Sequence, residues 1–284
     1  MNKVENIGVV GSGTMGNGIA HVFGLSKYQV TLVDLDESIL NQAINTISNN
    51  MERQVKKDLI SENDKDNAMN NISINTNINS LSDSDLIIEA VSENYDIKSK
   101  IFQNLDSVCN SNSILASNTS SISISKIAEA TNRPDKVIGM HFMNPVPVMK
   151  LIEVINGDKT SSETLNTVLD VSKKLNKIPL ECNDSPGFVS NRILMPLINE
   201  AAYCLMENVA KEESIDGIMK LGMGHPMGPL MLADLIGIDV CVSIMKVLEE
   251  GLNDVKYAPC PLLLNMIKEK KLGKKTGNGF YKYE

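Results

Sequence analysis

The 284-residue chain has no tryptophan, 4% aromatic residues and only three histidines. Asparagine, lysine and isoleucine are plentiful, so the missing tryptophan reads as the mark of AT-rich coding, not as a functional signal. There is no basic N-terminal region followed by a long apolar stretch and a small-residue cleavage site, so no signal peptide is expected. There is no membrane-length apolar run either: the most apolar long stretch, Pro229 to Leu248, is broken by Asp234, Asp239 and Lys246. The cysteines, Cys109, Cys182, Cys204, Cys241 and Cys260, are odd in number, widely spaced and free of any Cys-x-x-Cys pair. That argues against a disulfide framework and a structural zinc site, and makes a reducing cytoplasm the simplest compartment. No metal is expected. Positive charge is also short, 27 Lys and Arg against 35 Asp and Glu, a net −8. Such a field repels polyanions, which disfavours nucleic acid and anionic membranes as partners and requires a local basic patch for any anionic substrate.

Against these absences stand 42% hydrophobic and 22% charged residues, values of a folded chain with a sizeable core. At roughly 150 residues per domain the length suggests two domains. In the first half, β-branched runs alternate with helix-like stretches, the signature of a mostly parallel sheet with crossover helices. Strands are expected at Ile7 to Val10, Val30 to Val33, Leu86 to Ala90, Ser113 to Ala116, Val137 to Met140 and Leu151 to Ile155. After the second, Ile39, Ala43, Ile44, Ile47 and Met51 recur at helical spacing before a polar region, which predicts a helical hairpin excursion projecting from the domain. Asp184-Ser185-Pro186-Gly187 is a breaker cluster, with Ser185 able to cap and Pro186 to open a helix. A boundary there gives a Rossmann-type α/β domain over 1–185 and a smaller all-α domain over 186–284. Helices are expected in the latter at Phe188 to Met206, Ser214 to Leu221, Pro229 to Leu248 and Pro261 to Lys270. Its surplus apolar helices suit a subunit contact, hence a homo-oligomer through this domain.

Gly11-Ser12-Gly13-Thr14-Met15-Gly16 lies directly after the first strand and before a helical run. Gly11 permits a tight turn, Gly13 admits a pyrophosphate close to the backbone, Gly16 lets helix and strand pack closely, and the helix N-terminus attracts phosphate charge. Asp34, 18 residues after Gly16 at the end of the second strand, suits the adenine-ribose hydroxyls. No arginine stands among Leu35, Asp36 and Glu37 to receive a 2′-phosphate, so NAD is favoured over NADP.

Of the histidines, His21 falls on the first crossover helix as a packed residue, and the turn residues around His225 account for that segment. His141 follows a strand, at the carboxyl end where ligands of open α/β sheets bind. Twelve residues on, Glu153 sets one carboxylate inside an apolar strand, and buried carboxylates are rare unless paired. Across the Pro145-Val146-Pro147 corner the two strands can return side by side, giving either a carboxylate-oriented general base or a structural ion pair. Ser117-Asn118-Thr119-Ser120-Ser121 also ends a strand on the ligand side. Read alone, Ser120 is a helix cap and Asn191 a surface amide.

In these residues the chain resembles the short-chain L-3-hydroxyacyl-CoA dehydrogenase family, most closely its bacterial members acting on 3-hydroxybutyryl-CoA. The resemblance runs through the glycine loop, Ser117 to Ser121 and His141-Phe142-Met143-Asn144-Pro145. It continues through Pro186-Gly187-Phe188-Val189-Ser190-Asn191-Arg192, His225-Pro226-Met227-Gly228-Pro229 and Gly273 to Tyr281, nearly end to end. It implies NAD-dependent oxidation of (S)-3-hydroxyacyl-CoA to 3-oxoacyl-CoA, with His141 as proton carrier, Glu153 as its partner, and Ser120 and Asn191 holding the reacting oxygen. It places cofactor contacts on Gly11 to Gly16, Asp34, Glu93, Lys98, Ser120, Asn144 and Lys275. Acyl-CoA contacts fall on Ser120, Asn191, Lys98, and Lys57 and Arg53 of the excursion, with Lys56 nearby. Blind to the resemblance, Glu93 and Lys98 read as an exposed helix pair, and three basic residues on a helix as a solvated face. Met143 stands where the family more often has Phe, and Met231 where an acidic residue is common, which leaves acyl-chain preference open. Two other readings remain: a related NAD-dependent dehydrogenase of a free hydroxy acid or sugar acid, and a non-catalytic NAD-binding relative.

Overall fold

The computed structural model describes residues 3–283. The chain divides into two compact units, one ending at Ser185 and one starting at Pro186.

The first unit alternates strand and helix. Its elements run β1 (Asn6–Val10), α1 (Thr14–Leu25), β2 (Gln29–Val33), α2 (Glu37–Val55), α3 (Glu62–Asn70), β3 (Ile72–Asn75) and β4 (Leu86–Glu89). Then come α4 (Tyr95–Val108), β5 (Ile114–Ser117), α5 (Ile124–Ala128), β6 (Val137–Phe142), β7 (Leu151–Asn156), α6 (Ser162–Lys174) and β8 (Ile178–Asn183). The strands form one sheet in the order β3-β2-β1-β4-β5-β6-β7-β8. Neighbours are parallel except β6 and β7, which run antiparallel. β1, β4, β5 and β6 are buried almost throughout, as their continuous apolar runs require of strands covered on both faces. Between β1 and β4 the chain order reverses, the switch point at whose carboxyl edge open α/β sheets bind ligands.

Two strands carry no strong sequence signal. β3 reads Ile-Ser-Ile-Asn, short and half polar, and β8 is an edge strand with Pro179 in it and Ile178 and Leu180 exposed. The excursion also differs from its expected projection. Leu40, Ala43, Ile47 and Met51 of α2 lie in the main core, and α3 returns against α1, where Ala68 is buried beside Gly24.

The second unit is helical: α7 (Ser190–Met206), α8 (Glu212–Met223), α9 (Pro229–Ile236), α10 (Ile238–Leu252) and α11 (Pro261–Lys268). Its core joins Met195, Ile198 and Ala202 of α7 to Cys241, Met245 and Leu248 of α10 and Leu263 of α11. The single helix expected over Pro229 to Leu248 is two, because Gly237 adopts φ +108°, outside any helix. Pro186 does not open α7 either: Gly187 and Phe188 both take positive φ, so a turn intervenes and Val189 is the N-cap.

Candidate active site

At the carboxyl end of β1, Gly11 has φ +94° and donates its N–H to the Val33 carbonyl at 2.8 Å, tying the loop to β2. A Cβ on Gly16 would stand 1.7 Å from the Gly11 oxygen, so close helix–strand packing excludes any side chain there. Over Gly13 the space is open, with nothing within 4 Å of a built Cβ. Gly13 caps α1 without a side chain, which leaves the positive end of the helix facing that space. Asp34 is held in place: its Oδ2 accepts from the Ser12 N–H and hydroxyl, both at 2.7 Å, and its Oδ1 from the Leu35 N–H at 2.7 Å. Oδ2 is thus saturated, while Oδ1 keeps a lone pair for a further donor such as a ribose hydroxyl. A cavity of about 760 Å³ adjoins, with Gly11, Gly13, Asp34, Leu35, Val91 and Ile97 in its walls. Mostly apolar walls with one fixed carboxylate fit the adenosine half of NAD. Asp36 is committed to capping α2 through the Ser38 N–H, and Lys100 is the one basic side chain in the cavity wall.

β4 ends in Glu89, a carboxylate with no exposure at all. It accepts from the Lys98 ammonium at 2.7 Å, the Val91 N–H at 2.7 Å and the Ser117 hydroxyl at 2.6 Å. Lys98 is 1% exposed and stands between Glu89 and Glu93, the latter at 3.4 Å. The reading of Glu93 and Lys98 as an exposed helix pair is thus corrected. Lys98 faces inward, because a buried Glu89 requires a cation, and its ammonium is spent on carboxylates in place of being presented to acyl-CoA.

Glu93 in turn gathers the segment after β5. Its Oε1 accepts from the Thr119 hydroxyl at 2.6 Å, the Ser120 and Ser121 N–H groups at 2.9 and 3.0 Å, the Ser121 hydroxyl at 2.9 Å and the Ser120 hydroxyl at 3.3 Å. Burial pushes the Glu93 carboxyl up, but Lys98 and the donors from Thr119, Ser121 and Ser120 outweigh it and hold the pKa below the ordinary value. The Ser120 segment is also tied to the next strand, the Asn118 side chain accepting from the Phe142 N–H at 2.9 Å.

His141 lies inside β6, which runs two residues past its expected end at Met140. In the antiparallel pairing it stands directly opposite Glu153, and its Nδ1 meets Glu153 Oε2 at 2.7 Å. Both are nearly buried, at 9% and 5% exposure. Asn144 follows, exposed, joined to Pro145 by a cis peptide bond.

The other sequence-predicted residues stand elsewhere. Arg53, Lys56 and Lys57 are exposed at and beyond the end of α2, with Lys56 paired to Glu52 at 2.8 Å and Arg53 near Asn50. In the second unit, Asn191 is 9% exposed on the first turn of α7. Lys275 pairs with Asp239 at 2.6 Å. In the first unit, then, the glycine loop meets Asp34, and Glu93 and Lys98 meet the Ser120 segment, which Asn118 joins to the His141–Glu153 strand pair. Glu89 and Asn118 were missed as contributors. Glu89 carried the same signal as Glu153, a lone carboxylate in an apolar strand, whereas Asn118 lay within the singled-out Ser117 to Ser121 segment with nothing to mark its own side chain.

Comparison with known proteins follows the same division. Residues 6–185 match the family model of the 3-hydroxyacyl-CoA dehydrogenase NAD binding domain, and residues 187–283 that of the 3-hydroxyacyl-CoA dehydrogenase C-terminal domain. A probable 3-hydroxybutyryl-CoA dehydrogenase of Bacillus subtilis is 49% identical over 282 residues, covering 99% of this chain and 98% of its own. The human mitochondrial hydroxyacyl-coenzyme A dehydrogenase is 42% identical over 289 residues, covering 99% of this chain and 92% of its own. Among solved structures, the (S)-3-hydroxybutyryl-CoA dehydrogenase of Ralstonia eutropha superposes with a TM-score of 0.97 at 46% identity, covering 99% of this chain and 100% of its own.

Proposed function

The chain belongs to the 3-hydroxyacyl-CoA dehydrogenase family, and from that premise we propose that His141 and Glu153 carry the proton of its reaction. It is an NAD-dependent dehydrogenase that interconverts a 3-hydroxyacyl-CoA and its 3-oxoacyl-CoA, with 3-hydroxybutyryl-CoA and acetoacetyl-CoA as the pair its relatives indicate. NAD, when bound, supplies the nicotinamide carbon that takes up or returns the hydride.

The observation that carries the proposal is the 2.7 Å contact of His141 Nδ1 with Glu153 at the carboxyl end of β6. The carboxylate fixes the tautomer with the proton on Nδ1 and stabilises the cation formed on protonation, so proton exchange with substrate falls to Nε2. In oxidation, C3 of the substrate loses hydride while its hydroxyl proton passes to Nε2 and the C3–O bond becomes a carbonyl. In reduction the imidazolium returns that proton to the oxygen. Ser120, on the segment gathered by Glu93, is proposed to hold that oxygen, and Asn191 is assigned the same task on the family resemblance alone. Asp34 holds the adenine ribose, the N-terminus of α1 the pyrophosphate, and Glu93, Lys98, Asn144 and Lys275 the remaining cofactor positions. Lys98 acts there by fixing Glu93. Arg53 and Lys57 receive the CoA phosphates, giving the local positive charge that a chain of net −8 needs.

Exposed apolar side chains on the second unit, among them Ile193, Val209, Ile218 and Leu221, support a homo-oligomer through that domain. Among the described residues no helix is long and apolar enough to cross a membrane. Cysteine usage supports a cytoplasmic location.

The test is His141→Gln assayed by NADH consumption with acetoacetyl-CoA and with free acetoacetate. NADH binding stays near that of the parent and turnover on acetoacetyl-CoA falls about 10²- to 10⁴-fold, the usual range for loss of a general acid–base. Parental turnover in the variant would remove His141 from the mechanism, and preference for the free acid would favour the hydroxy-acid reading.

A further inference from the structure

Lys177 lies between α6 and β8, 8% exposed, and among the described residues no carboxylate pairs with it. Buried lysines are rare without such a partner. Here the partners are two backbone carbonyls: Nζ donates to Val146 O at 2.5 Å and to Met149 O at 2.6 Å. Desolvation pushes the ammonium pKa down, as expected for a cation answered only by dipoles.

Both carbonyls belong to the segment joining β6 to β7, the link between the strand of His141 and the strand of Glu153. The sequence explains why that link needs an outside donor. Pro145 and Pro147 contribute carbonyls but no N–H, and the N–H groups of Val148 and Met149 both turn inward to Pro145 O. An ammonium, with three N–H donors and no acceptor, is the group suited to the carbonyls left over. The link is fixed on its other side as well. Val146 is buried against α1 at Gly18, where a built Cβ would come 2.9 Å from the Val146 Cβ. Directly after Lys177, the Ile178 N–H donates to Lys150 O at 2.8 Å and starts the pairing of β8 with β7.

We propose that Lys177 is a positioning residue for the proton transfer: by gripping the Val146 and Met149 carbonyls it holds the β6–β7 link in the one geometry that keeps His141 and Glu153 face to face. The proposal rests on the assignment of that pair as the proton carrier. A 1 Å misplacement remote from the chemistry costs far more in turnover than in binding when the displaced groups act only in the transition state.

The experiment compares Lys177→Met, which keeps the stem and removes the donors, with the parent enzyme and with His141→Gln. In Lys177→Met, kcat falls about tenfold while the KM for NADH stays within about twofold. The primary isotope effect with NADH deuterated at the transferred position rises, and hydrogen exchange quickens at Val148 and Met149 but not in β1 or β2. A lower melting temperature with unchanged kcat, isotope effect and exchange in the link would make Lys177 a purely structural residue and overturn the proposal. If Lys177→Met yields no folded enzyme, Lys177→Gln, a shorter neutral side chain with two donors in place of the ammonium's three, is read by the same criteria with a smaller loss of kcat expected, and a parental kcat in it, or failure of both to fold, overturns the proposal. An impaired His141→Gln beside a parental Lys177→Met removes only Lys177, whereas a parental His141→Gln removes the proton-carrier reading itself.

Discussion

Both units bury carboxylates, but they partner them differently. In the second unit, Asp216 accepts from the N–H groups of Leu230 and Met231 and the Tyr281 hydroxyl, and Asp234 from those of Phe280 and Tyr281 and the Tyr283 hydroxyl. Every donor there is neutral. Burial, reinforced by the adjacent aspartates, raises both tyrosine pKa values, so the hydroxyls stay protonated at any working pH. These carboxylates fasten the C-terminal tail and take part in no exchange of charge. In the first unit Glu153 faces an imidazole and Glu89 an ammonium, groups that carry or can carry charge. Burial of an acid, then, identifies a constrained place in the fold, and the chemistry of its donors tells whether the constraint serves architecture or reaction.

The sharpest way to break this contrast is Asp234→Ala, which leaves two N–H groups and a tyrosine hydroxyl unanswered in the second unit. Thermal or denaturant unfolding should show a loss of about 3 kcal/mol while the enzyme that remains folded keeps parental turnover. A stable variant with poor turnover would erase the distinction. Glu153→Gln should do the reverse, cutting kcat about 10²-fold with little change in unfolding midpoint, because the amide keeps the shape but no longer stabilises the protonated ring. Glu89→Gln is expected to fall between the two. Lys98 loses its main counter-charge and the Ser120 segment loosens, so the KM for NADH should rise about tenfold with a smaller change in kcat, measurable by initial rates over a range of NADH.

The smallest effect concerns a buried base with no acid beside it. His21 is fully enclosed, hydrogen-bonded through Nε2 to Gln54, and its pKa is lowered to about 4 by burial, with the Lys177 charge adding to the effect. The unfolded chain, with a pKa near 6.5, then binds the proton that the folded one refuses, so stability falls as pH drops from about 6.5 toward about 4. The loss should be roughly 1 kcal/mol by about pH 5.5, and His21→Phe should flatten that part of the profile. An unaltered slope in the variant would assign the acid sensitivity to other groups.

Much of this site is legible in the sequence because its signals are local. The glycine loop between strand and helix, Asp34 at a strand end and Glu153 inside an apolar run each announce themselves within a few residues. What escaped depends on partners distant in the chain. Lys98 looks exposed beside Glu93 until Glu89, nine residues earlier, is seen beneath it. β3 and β8 are strands only because β2 and β7 offer them free edges. The break between α9 and α10 rests on one glycine's φ, which a periodic apolar pattern cannot reveal. Lys177 answers carbonyls about thirty residues away, and no spacing rule foretells that.

The antiparallel pairing of β6 with β7 also sets a limit on how the gene can vary. Side chains alternate along a strand, so adding or deleting one codon between Phe142 and Leu151 would swing Glu153 to the opposite face and present Ile152 or Val154 to the imidazole. An insertion that an ordinary surface turn absorbs without harm becomes, at this hairpin, a change of reading for the whole strand wherever the link passes the extra residue on to β7.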